Sequence, residues 1–228
     1  MLQGYGQNYM LSTNVHIGNR GNGIGFAIRE KSQNRMNTNY ELNLIGLKDY
    51  KELRISNVGM TSSNSNIEPG TFKYGKINQI LQIKAAYGKE ITLIKRPDRN
   101  AIGLIWNSTA GINFALQIPI YIDYITPGQN EQGFITVRYD PRIHERSNII
   151  LAHSYYDKGL TSARLIPSFF VKQGLIMEFG NYSNSPNRIE GGFMLDAFPI
   201  RPEIMYDHKQ PHIIAAFYIS FAVLNFEI

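Results

Sequence analysis

Apolar and polar side chains alternate with a period of two along most of this chain, the pattern of strands with two unlike faces. In the first segment Tyr9, Leu11, Thr13, Val15 and Ile17 share one face, and Met10, Ser12, Asn14 and His16 share the other. The Asn-Arg-Gly-Asn-Gly run at 19–23 supplies residues that tolerate positive φ, so a hairpin is expected there. Its return strand sets Ile24, Phe26 and Ile28 against Gly25, Ala27 and Arg29. A third segment opposes Tyr40, Leu42 and Leu44 to Asn39, Glu41 and Asn43, ahead of an irregular stretch at 47–73 rich in Ser, Asn and Gly. The fourth, 76–87, sets Ile77, Leu81, Ile83, Ala85 and Tyr87 against a face carrying Lys76 and Lys84, which excludes an apolar setting for both faces.

Across 101–125 the even positions from Ile102 to Tyr124 keep one apolar or small phase through Ala110-Gly111, which predicts a single long strand bent near Gly111. Positions 163–180 place Leu165, Phe169, Val171, Leu175, Met177 and Phe179 opposite Arg164, Ser168, Lys172, Gly174 and Glu178. A seventh segment sets Ile189, Phe193, Leu195 and Ala197 against Arg188, Glu190, Met194 and Asp196. The eighth runs from Ile213 to Val223 on odd positions and slips phase at Leu224 and Phe226, as a bulge or a frayed end would produce.

These segments, with little helical periodicity, predict an all-β fold: one domain over 1–228, an antiparallel up-and-down barrel of about eight strands, with ten as the alternative count. A water-soluble barrel alternates too, with its apolar face turned inward. Three features favour the opposite sense. The segments at 76–87, 101–125 and 163–180 meet or exceed the about 9–11 residues a tilted membrane strand needs. Tyr9, Tyr40, Tyr87, Tyr124 and Phe179 end apolar faces, as in interfacial aromatic girdles. The connections at 47–73 and 126–162 are long, while those at 31–37 and 181–186 are short. The expectation is therefore a transmembrane barrel of the Gram-negative outer-membrane type, with the 47–73, 126–162 and 199–210 loops extracellular. Its lumen would hold Arg29, Glu41, Lys76, Lys84, Asp123, Arg164, Lys172, Glu178, Arg188, Glu190 and Asp196 as a salt-bridged plug, because a buried charge without a partner is costly.

Composition narrows the function. No stretch of 18 apolar residues exists, so any crossing uses strands. Cysteine is absent, which removes disulfides, thiolate metal sites and cysteine nucleophiles. The net charge of +5 is scattered along the chain instead of clustered, and no nucleic-acid partner is expected. No secretory leader is visible before Tyr9.

Chemistry-bearing groups crowd into one place, where Asp140 and His144 lie four apart and could offer oxygen and nitrogen to a metal. Without a third ligand that pair is weak, and Asp140-Pro141 reads better as a turn. His153, Ser154 and Asp157 superficially suggest a lipid hydrolase, yet triads are defined by geometry and not by proximity in sequence. His208 and His212 read as exposed loop residues, and no Gly-rich phosphate loop precedes a helix. No cofactor and no catalytic residue are expected.

Several short motifs then recur in order: Gly4-Tyr5-Gly6, Gly23-Ile24-Gly25-Phe26, Leu44-Ile45-Gly46-Leu47-Lys48, Lys51-Glu52-Leu53-Arg54 and Tyr74-Gly75-Lys76-Ile77-Asn78. They continue with Tyr87-Gly88-Lys89, Arg138-Tyr139-Asp140-Pro141 with His144, and Glu178-Phe179-Gly180. In these the chain resembles a family of uncharacterised outer-membrane β-barrel proteins of the Bacteroidota. It departs from that pattern at Ala110-Gly111, where a Gly pair is usual, and at Asn225-Phe226-Glu227-Ile228, where a basic end is common. The resemblance implies an outer-membrane address with lipid and lipopolysaccharide as surroundings, and it transfers no activity. The reading that follows is a non-enzymatic barrel, structural or an accessory subunit of a secretion or assembly complex. An enzyme acting on lipid or lipopolysaccharide and a narrow pore are the alternatives.

Overall fold

The computed structural model describes residues 9–31, 35–52, 55–56, 71–97, 101–125, 134–144, 150–153, 156–180 and 187–227. Along the chain, β1 (Tyr9–Gly18) and β2 (Gly21–Glu30) form a hairpin and β3 (Met36–Leu47) pairs with β2. Two short strands, β4 (Ile55–Ser56) and β5 (Thr71–Phe72), precede the long hairpin of β6 (Asn78–Ile94) and β7 (Gly103–Pro119). The next connection holds β8 (Tyr121–Ile125), β9 (Phe134–Arg138), β10 (Ile150–His153) and helix α1 (Tyr156–Leu160). Then come β11 (Arg164–Phe179), β12 (Asn187–Ala197), a small hairpin of β13 (Glu203–Met205) and β14 (His208–Lys209), and finally β15 (Ile213–Glu227). Eight of these strands close into an antiparallel barrel in the order β1-β15-β12-β11-β7-β6-β3-β2.

Closure fixes the width. Following directly opposed residues from Tyr9 leads through Glu30, Thr38, Lys89, Ser108, Gln173 and Phe193 to Phe217, whose carbonyl accepts from the amide of Asn19. The path returns to the first strand ten residues beyond its start, from position 9 to position 19. Eight strands with that stagger tilt by about 40–45° and leave a bore that side chains fill.

The two sides of the wall are sharply different. Outward positions include Ile24, Phe26, Leu42, Phe169, Phe193, Phe217 and Ile219, with Phe217 69% and Phe169 63% exposed. Inward positions include Lys84 and Lys172, each 1% exposed, with Asn43, Asn107 and Asp196. A soluble carrier has the reverse arrangement, and this wall is that of a transmembrane-type barrel.

The two rims differ as well. β1 starts and β15 ends at one rim, which the 31–35, 95–102 and 180–186 connections share. The other rim carries the connections 48–77, 120–163 and 198–212, along with the tight turn at 19–20. There the inner face turns apolar: Leu47, Ile80, Ala115, Ile166 and Ile214 of the wall pack with Phe198 and Ile204 of the last loop. Each such Leu, Ile or Phe contributes about 1.5–3 kcal/mol when fully buried, so this cluster anchors the loop-end cap.

Several expectations need correction. Strand β7 stops at Pro119 and does not run on to Tyr124, because the following residues pair with β9 and β10 in a separate three-stranded sheet. Ile120 and Ile122 accordingly pack against Tyr139, Ile77 and Val137, and the backbone of Tyr124 pairs within that loop sheet. Tyr87 does not end its strand, since β6 continues to Ile94. The 126–162 region contains β9, β10 and α1. The phase slip near the end of β15 is a bulge: Thr13 opposes Leu224 and Asn14 opposes Ala222, leaving Val223 extra.

Candidate functional site: the charged lumen and its loop-end cap

The inner face of every wall strand delivers polar groups to the bore, and they meet as opposite charges. Lys172 Nζ of β11 reaches Glu41 of β3 at 2.6 and 2.7 Å and a Glu190 oxygen of β12 at 3.4 Å. Around the same carboxylates, Asn39 donates to Glu41 at 2.7 Å, Asn107 to Glu190 at 2.8 Å, and the Tyr218 hydroxyl to Glu190 at 2.7 Å. Nearer the loop end, Lys84 holds both oxygens of Asp196 at 2.6 and 2.8 Å, with its ammonium 4.9 Å from the centre of the Phe170 ring. Nearer the terminal rim, Glu90 is held between Arg29 and Arg188, each at 2.7 Å. Arg188 also lies 3.2 Å from Glu178.

The charges in this bore are paired. Moving several ions out of water costs several kcal/mol apiece unless each finds an oppositely charged partner and further hydrogen bonds, and here Arg29, Lys84, Lys172 and Arg188 each do. Glycines make the room. A Cβ on Gly25 would stand 2.1 Å from Asn43 Oδ1 and 2.6 Å from His16 Nε2, and one on Gly174 would stand 2.5 Å from the Tyr218 hydroxyl. His16 and Asn43 use that space for a 2.9 Å contact.

Arg29, Glu41, Lys84, Lys172, Arg188, Glu190 and Asp196 thus lie in the bore, and Glu178 stands half-buried at its terminal mouth. Three residues expected there lie elsewhere. Lys76 is buried in the loop-end cap, where it meets Glu52 at 2.8 Å, because β6 begins only at Asn78. Asp123 accepts from Thr136 at 2.7 Å within the loop sheet, and Arg164 opens β11 at the exposed rim. Glu90, the carboxylate between two arginines, lies beyond the 76–87 segment that the alternation marks, because β6 continues to Ile94. The parity of 84, 86 and 88 continues through it.

The cap has its own chemistry. Asp49 Oδ2 accepts from Gln210 Nε2 and lies 2.7 Å from His208 Nδ1, and His208 Nε2 lies 3.1 Å from the Tyr50 hydroxyl. Arg20 donates to Gln210 at 2.6 Å and lies 5.7 Å from the centre of the Tyr50 ring, with the Lys51 ammonium 5.9 Å from that centre. His208 is therefore engaged on both ring nitrogens, whereas His212 is exposed with Nδ1 2.8 Å from the Phe198 carbonyl oxygen. Beside this group, burial would raise the Glu52 carboxyl, but bonds from Lys73 and Lys76 outweigh it and hold it below the ordinary value. Burial also depresses the Lys76 ammonium and raises the Tyr139 phenol.

Asp140 and His144 are not arranged as metal ligands: His144 Nδ1 faces the backbone of Asp140, and the Asp140 carboxylate accepts from the Arg142 amide. Among the described residues no group of three or more His, Asp or Glu is placed to hold a metal ion. Ser154, and the side chains of His153 and Asp157, fall outside the described residues.

No family model matches this chain, and no curated protein does. Among solved structures, the N-terminal β-barrel domain of Pseudomonas aeruginosa OprF is similar, with a TM-score of 0.34 and 9% identity over 96% of this chain and 98% of that one.

Proposed function

We propose that this chain is an integral outer-membrane β-barrel with a closed, side-chain-filled lumen, acting without catalysis as a structural protein or as an accessory subunit of a secretion or assembly complex. One observation carries the reading: a wall apolar on its outside encloses an interior in which Arg29, Lys84, Lys172 and Arg188 are each paired with a carboxylate. Hydrocarbon outside favours the first, and the ion pairs replace the water a pore would hold. Lipid and lipopolysaccharide are then its surroundings, other envelope proteins its partners, and the resemblance to the Bacteroidota barrels supports the same address. The test is reconstitution of the purified chain into vesicles and planar bilayers. It is expected to float with the vesicles and to give no stable conductance; a large steady conductance overturns the filled lumen, and failure to associate with lipid overturns the membrane reading. Gentle-detergent purification with mass spectrometry tests the subunit role, against which a chain that always runs alone would count.

A second reading is favoured by the Asp49–His208–Tyr50 arrangement. An acid orienting a histidine that meets a hydroxyl is the order of parts in nucleophilic catalysis, and at a loop-end mouth it would face the outer leaflet. Loss of a lipid- or lipopolysaccharide-modifying activity in His208→Ala would favour this enzyme.

A further inference from the structure

Five adjacent strands place polar residues side by side on the outer wall. Glu30 of β2 opposes Thr38 of β3, Thr38 opposes Lys89 of β6, Lys89 opposes Ser108 of β7, and Ser108 opposes Gln173 of β11. All five occupy the parity that elsewhere carries Ile28, Tyr40, Leu42, Tyr87 and Ile112 into the surroundings. Gln173 and Ser108 satisfy each other through a 2.7 Å hydrogen bond. Lys89 donates to Thr38 Oγ1 at 2.9 Å and leans over the Tyr87 ring. Unlike those luminal cations, Lys89 meets no carboxylate among the described residues, and Glu30 meets no cation. They do not meet each other either: the Lys89 ammonium is taken up by Thr38 on the intervening strand.

We infer that this row is the contact surface for a second copy of the chain. The inference rests on the membrane reading above. A charged group facing lipid from a spanning strand is a functional signal whose partner has to be named, and the row names its own. Thr38 stands midway between an anion on one side and a cation on the other. When two copies face each other about a twofold axis along the barrel axis through Thr38, left and right exchange, so Glu30 of each lies opposite Lys89 of the other. The stagger of the wall raises the row by about 3 Å per strand, which sets Lys89 about 6 Å above Glu30, within the reach of a lysine side chain. Lys89 already bends toward Thr38, the position of the axis. The tilted Tyr40–Tyr87 pair, ring centres 5.4 Å apart, adjoins the row and supplies rigid apolar area beside the two ion pairs.

The chain has no cysteine, so single-thiol variants report on one position. In vesicles at low protein density, Thr38→Cys is expected to oxidise to a disulfide-linked dimer, while Phe193→Cys, on β12 at the opposite wall, stays monomeric. In the Thr38→Cys background, Glu30→Lys or Lys89→Glu alone lowers the dimer yield about tenfold or more, and the two together restore it. Equal cross-linking at both cysteine positions, or no rescue by the double reversal, overturns the dimer. Flotation of the same samples separates the two ideas: chains that insert but stay monomeric refute only the dimer, and chains that do not insert refute the membrane reading with it.

Discussion

Lys172 and Glu41, 131 residues apart in the chain, meet at 2.6 Å across the bore, and the same ammonium reaches Glu190. Replacing Lys172 by Met leaves two buried carboxylates uncompensated. The expected loss is about 3–5 kcal/mol, read from denaturant unfolding in detergent. Adding Glu41→Gln to Lys172→Met is expected to recover part of that loss, since neighbours in one network are not additive.

Gly174 makes a second prediction. Its missing side chain is the space occupied by the Tyr218 hydroxyl and Glu190. Gly174→Val is expected to destabilise the barrel by about 1–3 kcal/mol through overpacking, whereas Gly191→Val, with nothing within 4 Å of an added Cβ, is expected to be tolerated. Thermal loss of the compact, fast-migrating form on unheated gels reads both.

The outer wall can be probed for its surroundings. Ile112→Arg puts a guanidinium on the apolar outside near the middle of β7 and is expected to cost about 2–4 kcal/mol when the protein is folded into bilayers. Ile112→Leu is expected to cost little. An equal, small effect of both in vesicles would argue against hydrocarbon at that position.

The loop-end cap should respond to acid. Glu52 has a folded value depressed below 4.5, so its pairs with Lys73 and Lys76 stabilise the cap fully above that value. The contribution is lost as pH falls below 4.5 and through the lower folded value. Hydrogen-exchange protection of the 74–77 amides, corrected for intrinsic rates, is expected to fall over that window, and Glu52→Gln is expected to lack the transition.

Parity made much of the barrel readable from the sequence. A period of two assigns each side chain to one face, so Glu41, Lys84, Lys172 and Glu190 share a side whatever the strand ends are. Parity does not say how high along the wall a residue sits. Lys76, Asp123 and Arg164 carry the inward phase yet lie in or beside the cap, because β6 starts at Asn78, β7 ends at Pro119 and β11 begins at the rim. Glu90 shows the same limit in the other direction, as pairing with β7 carries β6 past the 76–87 segment to Ile94. The Asp49–His208 contact joins segments 159 residues apart through loops that have no period at all, so no local signal could have announced it.

The seam between β1 and β15 joins the two extremes of the folded wall, with Ile17 opposite Ile219 and Met10 opposite Glu227. Until β15 is in place the first strand therefore has no partner on that side. Through that interval it presents a raw ladder of amides and carbonyls, the kind of edge on which chains aggregate. A truncation at Pro211 would make that interval permanent, and a chaperone that shields the first strand would shorten its hazard without touching the finished protein.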